Sequence, residues 1–112
     1  MTYSENASWI IEVGDNILEK EAGFGYDQLS EIEQLIICFW TLDYSVRNAG
    51  SLDALEDFNS FRKADLKRLA RNFQLIGINE TFNAKTDLEM QSYYYASFDQ
   101  NCETLKKNLR AI

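Results

Sequence analysis

The chain has 112 residues, which suits one compact domain of common size, and 46% of them are hydrophobic. This apolar content excludes a disordered acidic tail, although 18 acids against 11 bases leave a net charge of −7. We therefore predict a single folded domain over residues 1–112 whose surface carries the excess acids.

The charge is distributed unevenly along the sequence. Residues 1–59 contain twelve acids and two bases, whereas residues 60–112 contain six acids and nine bases. Such a field governs association and solubility rather than fold. It predicts an acidic surface that meets a basic protein partner, and it disfavours direct binding of nucleic acid.

The sequence lacks the residues that several kinds of catalytic and metal-binding site require. Histidine is absent, which excludes Ser-His and Cys-His nucleophiles and His-ligated zinc. The sequence also has no calcium-binding loop motif and no glycine-rich phosphate loop. We therefore expect no metal, no cofactor and no enzymatic activity, and a hydrolase that uses carboxylates alone is the least favoured class.

The two cysteines and the hydropathy pattern indicate a cellular compartment. Cys38 and Cys102 lie in apolar stretches outside any metal-binding spacing, so we expect reduced core thiols and a cytoplasmic protein. Residues 1–6 show no basic segment before an apolar stretch, and the longest apolar run, residues 35–40, is six residues long. We expect neither a signal peptide nor a membrane span.

The first predicted helix begins after Ser4 as its N-cap and ends near Ala22. Apolar residues recur in it at spacings of three and four, while Gly14 should weaken it by roughly 1 kcal/mol relative to alanine. Gly23 and Gly25 predict a loop after it. The apolar positions are Trp9, Ile10, Val13 and Ile17.

The second helix is predicted from Ser30, which forms a capping box with Glu33, to Gly50, which ends the helix. Its apolar residues form two stripes, so the helix must be buried on more than one face. It is either the central helix of the domain or half of a subunit interface. The first stripe is Leu35, Phe39, Leu42, Val46 and Ala49, and the second, our predicted dimer interface, is Ile36, Ile37, Trp40 and Tyr44.

A short turn capped by Ser51 is predicted next, from Asp53 to Phe58, followed by a third helix from Phe61 to Ile76 that ends at Gly77. Bases recur every four residues on the outer face of the third helix. They could contact phosphates, but the negative net charge favours a solvated face or one that meets acids of the same fold or a second subunit. These bases are Lys63, Lys67 and Arg71, with Arg62 and Arg68 beside them.

A fourth helix is predicted to start at Asn79 or Thr81 and to run into Leu88. In the last helix, consecutive tyrosines 93–95 point in different directions, so we expect one core ring, one half-buried ring and one exposed ring rather than an aromatic cage. Together the elements predict an all-α domain of five or six helices around the helix from Ser30 to Gly50. The apolar stripe of the last helix is Tyr94, Phe98, Cys102, Leu105, Leu109 and Ile112.

The acids of the N-terminal half supply the candidate partner-binding surface. Helical residues three or four apart hold their Cβ atoms about 5–6 Å from each other, so acids at this spacing form a row of carboxylates. Four acids of the first helix can share such a face, and five more could extend it across the helix ends. The candidates are Glu5, Glu12, Asp15, Glu19, Asp27, Glu31, Asp53, Glu56 and Asp57.

One stretch resembles a known family. Residues 42–50, Leu-Asp-Tyr-Ser-Val-Arg-Asn-Ala-Gly, with Leu-Ser-Glu-Ile-Glu before them and Leu-Ile-Gly after them, resemble the small bacterial DNA-mimic protein family, whose signature includes Val-x-Asn-Gly-Gly. The first glycine of that pair is Ala49 here, and Ser45 replaces a glutamate. The resemblance implies a dimeric, all-helical protein whose carboxylates imitate duplex phosphates.

Our leading hypothesis is an acidic, non-enzymatic interaction protein that binds a basic partner, with DNA-binding proteins as one class of partner. Its homodimer would use the spare apolar surface of the second helix. The alternative is an immunity or antitoxin protein that covers the basic active site of a toxin. A purely solubilising acidic surface is the structural alternative to both.

Overall fold

A computed structural model describes residues 5–58 and 61–110 of the chain. The described residues form helices and turns without a strand, so the predicted all-α class is confirmed. Their apolar side chains make one continuous hydrophobic core. The α-helices are α1 (Glu5–Phe24), α2 (Glu31–Tyr44), α3 (Lys63–Asn72), α4 (Ile78–Asn83) and α5 (Asp87–Arg110).

Helix α2 lies at the centre and packs against α1, α3 and α5. It begins with the predicted capping box: Ser30 Oγ accepts from the Glu33 backbone N–H at 3.3 Å, and the Ser30 N–H donates to Glu33 Oε1 at 2.9 Å. Most residues of its two apolar stripes are buried by the chain itself, whereas Tyr44 and Ala49 at the C-terminal ends of the stripes are exposed. The prediction of a central helix buried on more than one face is therefore confirmed.

The chain does not continue as an α-helix to Gly50. After Tyr44 it widens into a π-helical turn, Ser45–Ala49, and Gly50 then adopts the left-handed conformation with φ 66°. Gln91 of α5 donates to the Gly50 carbonyl at 2.7 Å and fixes the end of this turn. The predicted role of Gly50 as the helix terminator is confirmed, and the π-helical turn is the part that the periodicity did not indicate.

Two smaller 3-10 turns connect the helices. Tyr26–Gln28 links α1 to α2, and Asp53–Asp57 follows the π-helical turn. Ser51 Oγ accepts from the Asp53 backbone N–H at 3.2 Å, although Leu52 rather than Ser51 directly precedes this turn. The turn ends at Asp57, one residue before the predicted Phe58. Helix α1 extends to Phe24, two residues beyond the predicted end, while its predicted N-cap Ser4 lies outside the described residues.

Helix α3 is shorter than predicted, because it begins at Lys63 rather than Phe61 and ends at Asn72 rather than Ile76. Gln74 takes a left-handed φ of 64°. The side chain of Asn101 in α5 then accepts from the Ile76 N–H and donates to the Ile76 carbonyl, both at 2.8 Å. A tertiary contact thus satisfies the backbone groups that one more helical turn would have used.

The segment predicted as one fourth helix is divided between two helices in the structure, α4 and the start of α5. Helix α4 starts at Ile78, one residue before the earlier of the two predicted starts, and ends at Asn83 instead of running into Leu88. Thr86 directly precedes α5 and caps its first turn, since its Oγ1 accepts from the Glu89 backbone N–H at 3.1 Å. In α5 the predicted stripe is buried from Tyr94 to Leu105 and half-buried at Leu109, and Ile112 lies outside the described residues.

Candidate partner-binding surface

The acids of α1 occupy one exposed face of that helix. At 100° per residue, four of them fall within an arc of about 80°, on the side away from Ile10, Gly14 and Ile17, which face the core. They span roughly 21 Å along the helix axis at 1.5 Å per residue. We call this row the acidic ridge; its members are Glu5, Glu12, Asp15 and Glu19.

No base of the described ranges 5–58 and 61–110 forms an ion pair with the acidic ridge. The two bases of the N-terminal half pair elsewhere: Lys20 contacts Glu33 at 2.8 Å, and Arg47 contacts Asp43 at 2.9 Å. The acidic ridge therefore presents uncompensated negative charge to solvent.

The other five candidate acids are exposed as well, but they lie on other segments. Asp27 lies in the turn that connects α1 to α2, Glu31 follows this connection as the first residue of α2, and the remaining three lie on the 3-10 turn Asp53–Asp57. Glu56 lines a different groove, together with Lys63 and Phe82, to which α1 contributes no residue. Thus the structure gathers four of the nine candidates into one row and places five on two other segments.

A groove of about 290 Å³ lies between α1 and α2, beside the acidic ridge. We call it the aromatic groove, because the indole of Trp40 and the phenol ring of Tyr44 stack in it, with centroids 5.6 Å apart and ring planes 24° from parallel. Phe58 contacts both rings edge-on. The groove is lined by Ile11 and Asp15 of α1, Trp40, Asp43 and Tyr44 of α2, and Arg47 and Asn48 of the π-helical turn.

Asp15 belongs to both the acidic ridge and the aromatic groove. A shallow depression on α1, lined by Ser8, Ile11, Glu12 and Asp15, connects the two. Ile11 and Tyr44 are among the large hydrophobic side chains that remain exposed. An apolar centre with a charged rim is the usual anatomy of a protein–protein interface.

The predicted dimer interface needs correction. Ile36 and Ile37 are 0% and 1% exposed, because α2 is surrounded by helices of its own chain, so they are core residues and the interface prediction is wrong for them. Trp40 is half-buried and Tyr44 is 43% exposed. Only these two of the four predicted interface residues reach the surface, and both lie in the aromatic groove.

A buried network forms the inner wall of the aromatic groove. Asp43 is 3% exposed, and its carboxylate accepts from Arg47 Nε at 2.9 and 3.1 Å and from the hydroxyl of Tyr94 in α5. Burial raises the pKa of the Asp43 carboxyl, while the hydrogen bond from Tyr94 and the charge of Arg47 oppose that rise. The guanidinium of Arg47 also lies 4.6 Å from the ring centroid of Phe98. This wall is therefore close to charge-neutral and rigidly held.

Sequence reasoning did not identify this network. The spacing of Asp43 and Arg47, four residues apart on a helix, is a local signal for an ion pair and could have been recognised. The third member, Tyr94, is 51 residues from Asp43, and nothing local links them. Tyr94 is the core ring expected among the three consecutive tyrosines, since Tyr93 and Tyr95 are both about two-fifths exposed.

The basic stripe of α3 packs on aromatic rings. The Nζ atoms of Lys63 and Lys67 lie 4.9 and 5.7 Å from the ring centroid of Phe82, and the Arg62 guanidinium lies 4.3 Å from that of Tyr26. Arg68 contacts Asp65 at 3.4 Å. Much of the stripe thus takes part in cation–π contacts of its own fold.

Within the described ranges, no three His, Cys, Asp or Glu side chains converge on a position where they could share a metal ion. Nor does any helix there combine the length and the apolar character needed to cross a bilayer. Comparison of the chain with protein-family models, with curated proteins and with solved structures gives no match. The resemblance to the DNA-mimic family stays a prediction.

Proposed function

We propose that this protein binds a basic protein partner through the acidic ridge and the adjoining aromatic groove. The observation that carries the proposal is the row of four exposed acids that form no ion pair with any base of the described residues, next to the exposed side chains of Ile11 and Tyr44. Charge gives such a surface long-range attraction and orientation, and the apolar centre supplies the burial that holds a complex together.

The magnitude of the charge bears on the class of partner. A DNA strand carries one phosphate per 3.4 Å, so about six phosphates of one strand, or twelve of the duplex, fit the roughly 21 Å of the acidic ridge. The ridge has four carboxylates over this distance. The number of charges on the ridge is closer to that of one DNA strand than to that of the duplex over the same length. This supports a partner whose DNA-binding surface contacts one row of phosphates.

The test is a pull-down from a lysate of the source cell at low salt, eluted with a salt step. It compares the wild type with the isosteric triple variant Glu12→Gln, Asp15→Asn and Glu19→Gln. The matched control, Glu80→Gln, Glu89→Gln and Glu103→Gln, also removes three negative charges, but from exposed acids outside the acidic ridge.

We expect one or more basic proteins to be retained by the wild type and the control and lost from the ridge variant. Equal retention by all three proteins would contradict the proposal, since only net charge would then matter. Adding duplex DNA to the bound complex separates the classes of partner: a DNA-binding protein should be displaced, whereas a toxin held at its active site should stay bound.

A further inference from the structure

We infer that the aromatic groove receives an arginine side chain of the basic partner, with Asp15 pairing to its guanidinium and Tyr44 stacking on its plane. This inference rests on the proposed function and deepens it, because it assigns the residue type that the partner must present. Three properties of the groove support it: its free charge, its exposed ring and its size.

Asp15 is the carboxylate of the groove that is available to a ligand. It is exposed, and no base of the described residues pairs with it. The other carboxylate, Asp43, already accepts from Arg47 and Tyr94. With Asp43 and Arg47 compensating each other, the groove carries the negative charge of Asp15 and of neighbouring Glu12, which favours a cationic occupant.

The exposed ring of Tyr44 offers a surface on which a guanidinium can stack. Tyr44 is 43% exposed, although Trp40 supports it from behind by stacking. The same fold already holds two arginines in this way, since Arg47 lies 4.6 Å from the centroid of Phe98 and Arg62 lies 4.3 Å from that of Tyr26. A planar guanidinium gains from both a ring face and a carboxylate, whereas the compact ammonium of lysine gains less from the ring.

The size of the groove favours a side chain over a free ligand. Sites for drug-sized molecules occupy about 300–1,000 Å³ and enclose most of the ligand. The aromatic groove has about 290 Å³, at the lower limit of this range, and it adjoins the open depression on α1 that carries Glu12. A partner side chain that enters it would also place the partner's neighbouring bases over Glu12 and Glu19.

The experiment is an NMR titration of the full chain with two peptides, acetyl-Gly-Arg-Gly-Arg-Gly-amide and its lysine counterpart. The indole N–H signals of the two tryptophans report on the site: Trp40 lies in the groove, whereas Trp9 lies 5.5 Å from the Nζ of Lys106 and serves as an internal control. The test variants are Asp15→Asn and Tyr44→Leu. Their matched controls are Glu103→Gln and Tyr93→Leu, the latter at a tyrosine of nearly equal exposure.

We expect the arginine peptide to shift the Trp40 signal and leave the Trp9 signal in place. It should bind at least about five-fold more tightly than the lysine peptide. Each test variant should bind the arginine peptide about five-fold more weakly than the wild type does, and the control variants should bind it as tightly as the wild type. Circular dichroism of each variant checks that it folds, and Asp15→Asn alone keeps the test valid should Tyr44→Leu fail to fold.

Equal affinity for the two peptides would overturn the inference, as would binding that leaves Trp40 unmoved. If either result occurs and the ridge variant Glu12→Gln, Asp15→Asn and Glu19→Gln still binds the peptides more weakly than the wild type, the proposed function stands and only the groove assignment fails. Absence of binding by both peptides at millimolar concentration also overturns the groove assignment, and the pull-down then decides the proposed function separately.

Discussion

Gly14 of α1 and Trp40 of α2 are in direct contact, and the indole ring occupies the space that a side chain at position 14 would need. A Cβ atom placed on Gly14 would lie 2.0 Å from Trp40 Cδ1 and 2.4 Å from Cγ. The glycine therefore sets how closely the two helices approach. The same contact positions the indole that supports Tyr44 in the aromatic groove.

Gly14→Ala should destabilise the protein despite alanine's higher helix propensity. Overpacking costs typically 1–3 kcal/mol, and we expect the upper end, about 2–3 kcal/mol, because the added Cβ would overlap the indole ring. The propensity gain offsets about 1 kcal/mol, so the net loss in the free energy of unfolding should be about 1–2 kcal/mol. Urea denaturation measures it. The control is Gly23→Ala, which meets no atom within 4 Å and should be neutral or stabilise by about 0.5 kcal/mol. A Gly14→Ala variant as stable as the control would contradict this role for Gly14.

Asp43→Asn should lower the stability by about 2–3 kcal/mol, since it leaves the largely buried guanidinium of Arg47 without a counter-charge. This loss is smaller than the roughly 3–5 kcal/mol typical of breaking a buried ion pair, because the amide relieves the cost of burying the Asp43 carboxylate. Chemical denaturation provides the measurement, with Glu103→Gln as the control. That variant breaks the exposed ion pair with Lys106 and should change stability by no more than about 0.5 kcal/mol. Equal losses in the two variants would show that the network contributes little.

The capping box predicts a specific acid sensitivity. Although desolvation acts to raise the pKa of Glu33, hydrogen bonds from Lys20 and Ser30 lower it below its ordinary value of 4.5. A depressed carboxyl pKa stabilises the fold above the unfolded-state value, and this contribution is lost as the pH falls through the folded-state pKa. Glu33→Gln cannot lose a charge, so the stability difference between wild type and variant should shrink from pH 7 to about pH 3. A difference that stays constant over this interval would refute the role of the Glu33 charge.

Both thiols should be unreactive in the native protein. Cys38 and Cys102 are free and fully buried, as the sequence predicted. Burial raises the pKa of both thiols, and that of Cys102 reaches about 12, so almost no thiolate exists at neutral pH. Titration with a chromogenic disulfide reagent should label neither cysteine until denaturant is added, and then both. Rapid labelling without denaturant would contradict the described packing.

Interactions that close within a few residues were predictable from the sequence. The capping box of Ser30 and Glu33 and the left-handed Gly50 need only short segments of chain, and both are confirmed. The threonine and glutamate at Thr86 and Glu89 repeat the same spacing, and the start of α5 could have been recognised from it.

Features that depend on distant parts of the chain were not predictable. The end of α3 depends on Asn101, which binds the backbone of Ile76 from another helix. Periodicity placed Ile36 on the second apolar stripe, but it could not show that neighbouring helices of the same chain cover this residue. For the same reason the acidic ridge was predictable as one helix face, whereas the aromatic groove beside it required the packing of α1 on α2.

The main proposal is that the acidic ridge binds a basic partner. It is tested most directly by measuring the Kd of the captured partner at a series of salt concentrations. Between about 0.1 M and 1 M salt the Debye length falls from about 10 Å to 3 Å, and we predict at least a ten-fold increase in Kd, roughly 1.4 kcal/mol. We also predict that Glu12→Lys, Asp15→Lys and Glu19→Lys together abolish binding at every salt concentration. A Kd that is independent of salt, or undiminished binding by the charge-reversed protein, would contradict the account.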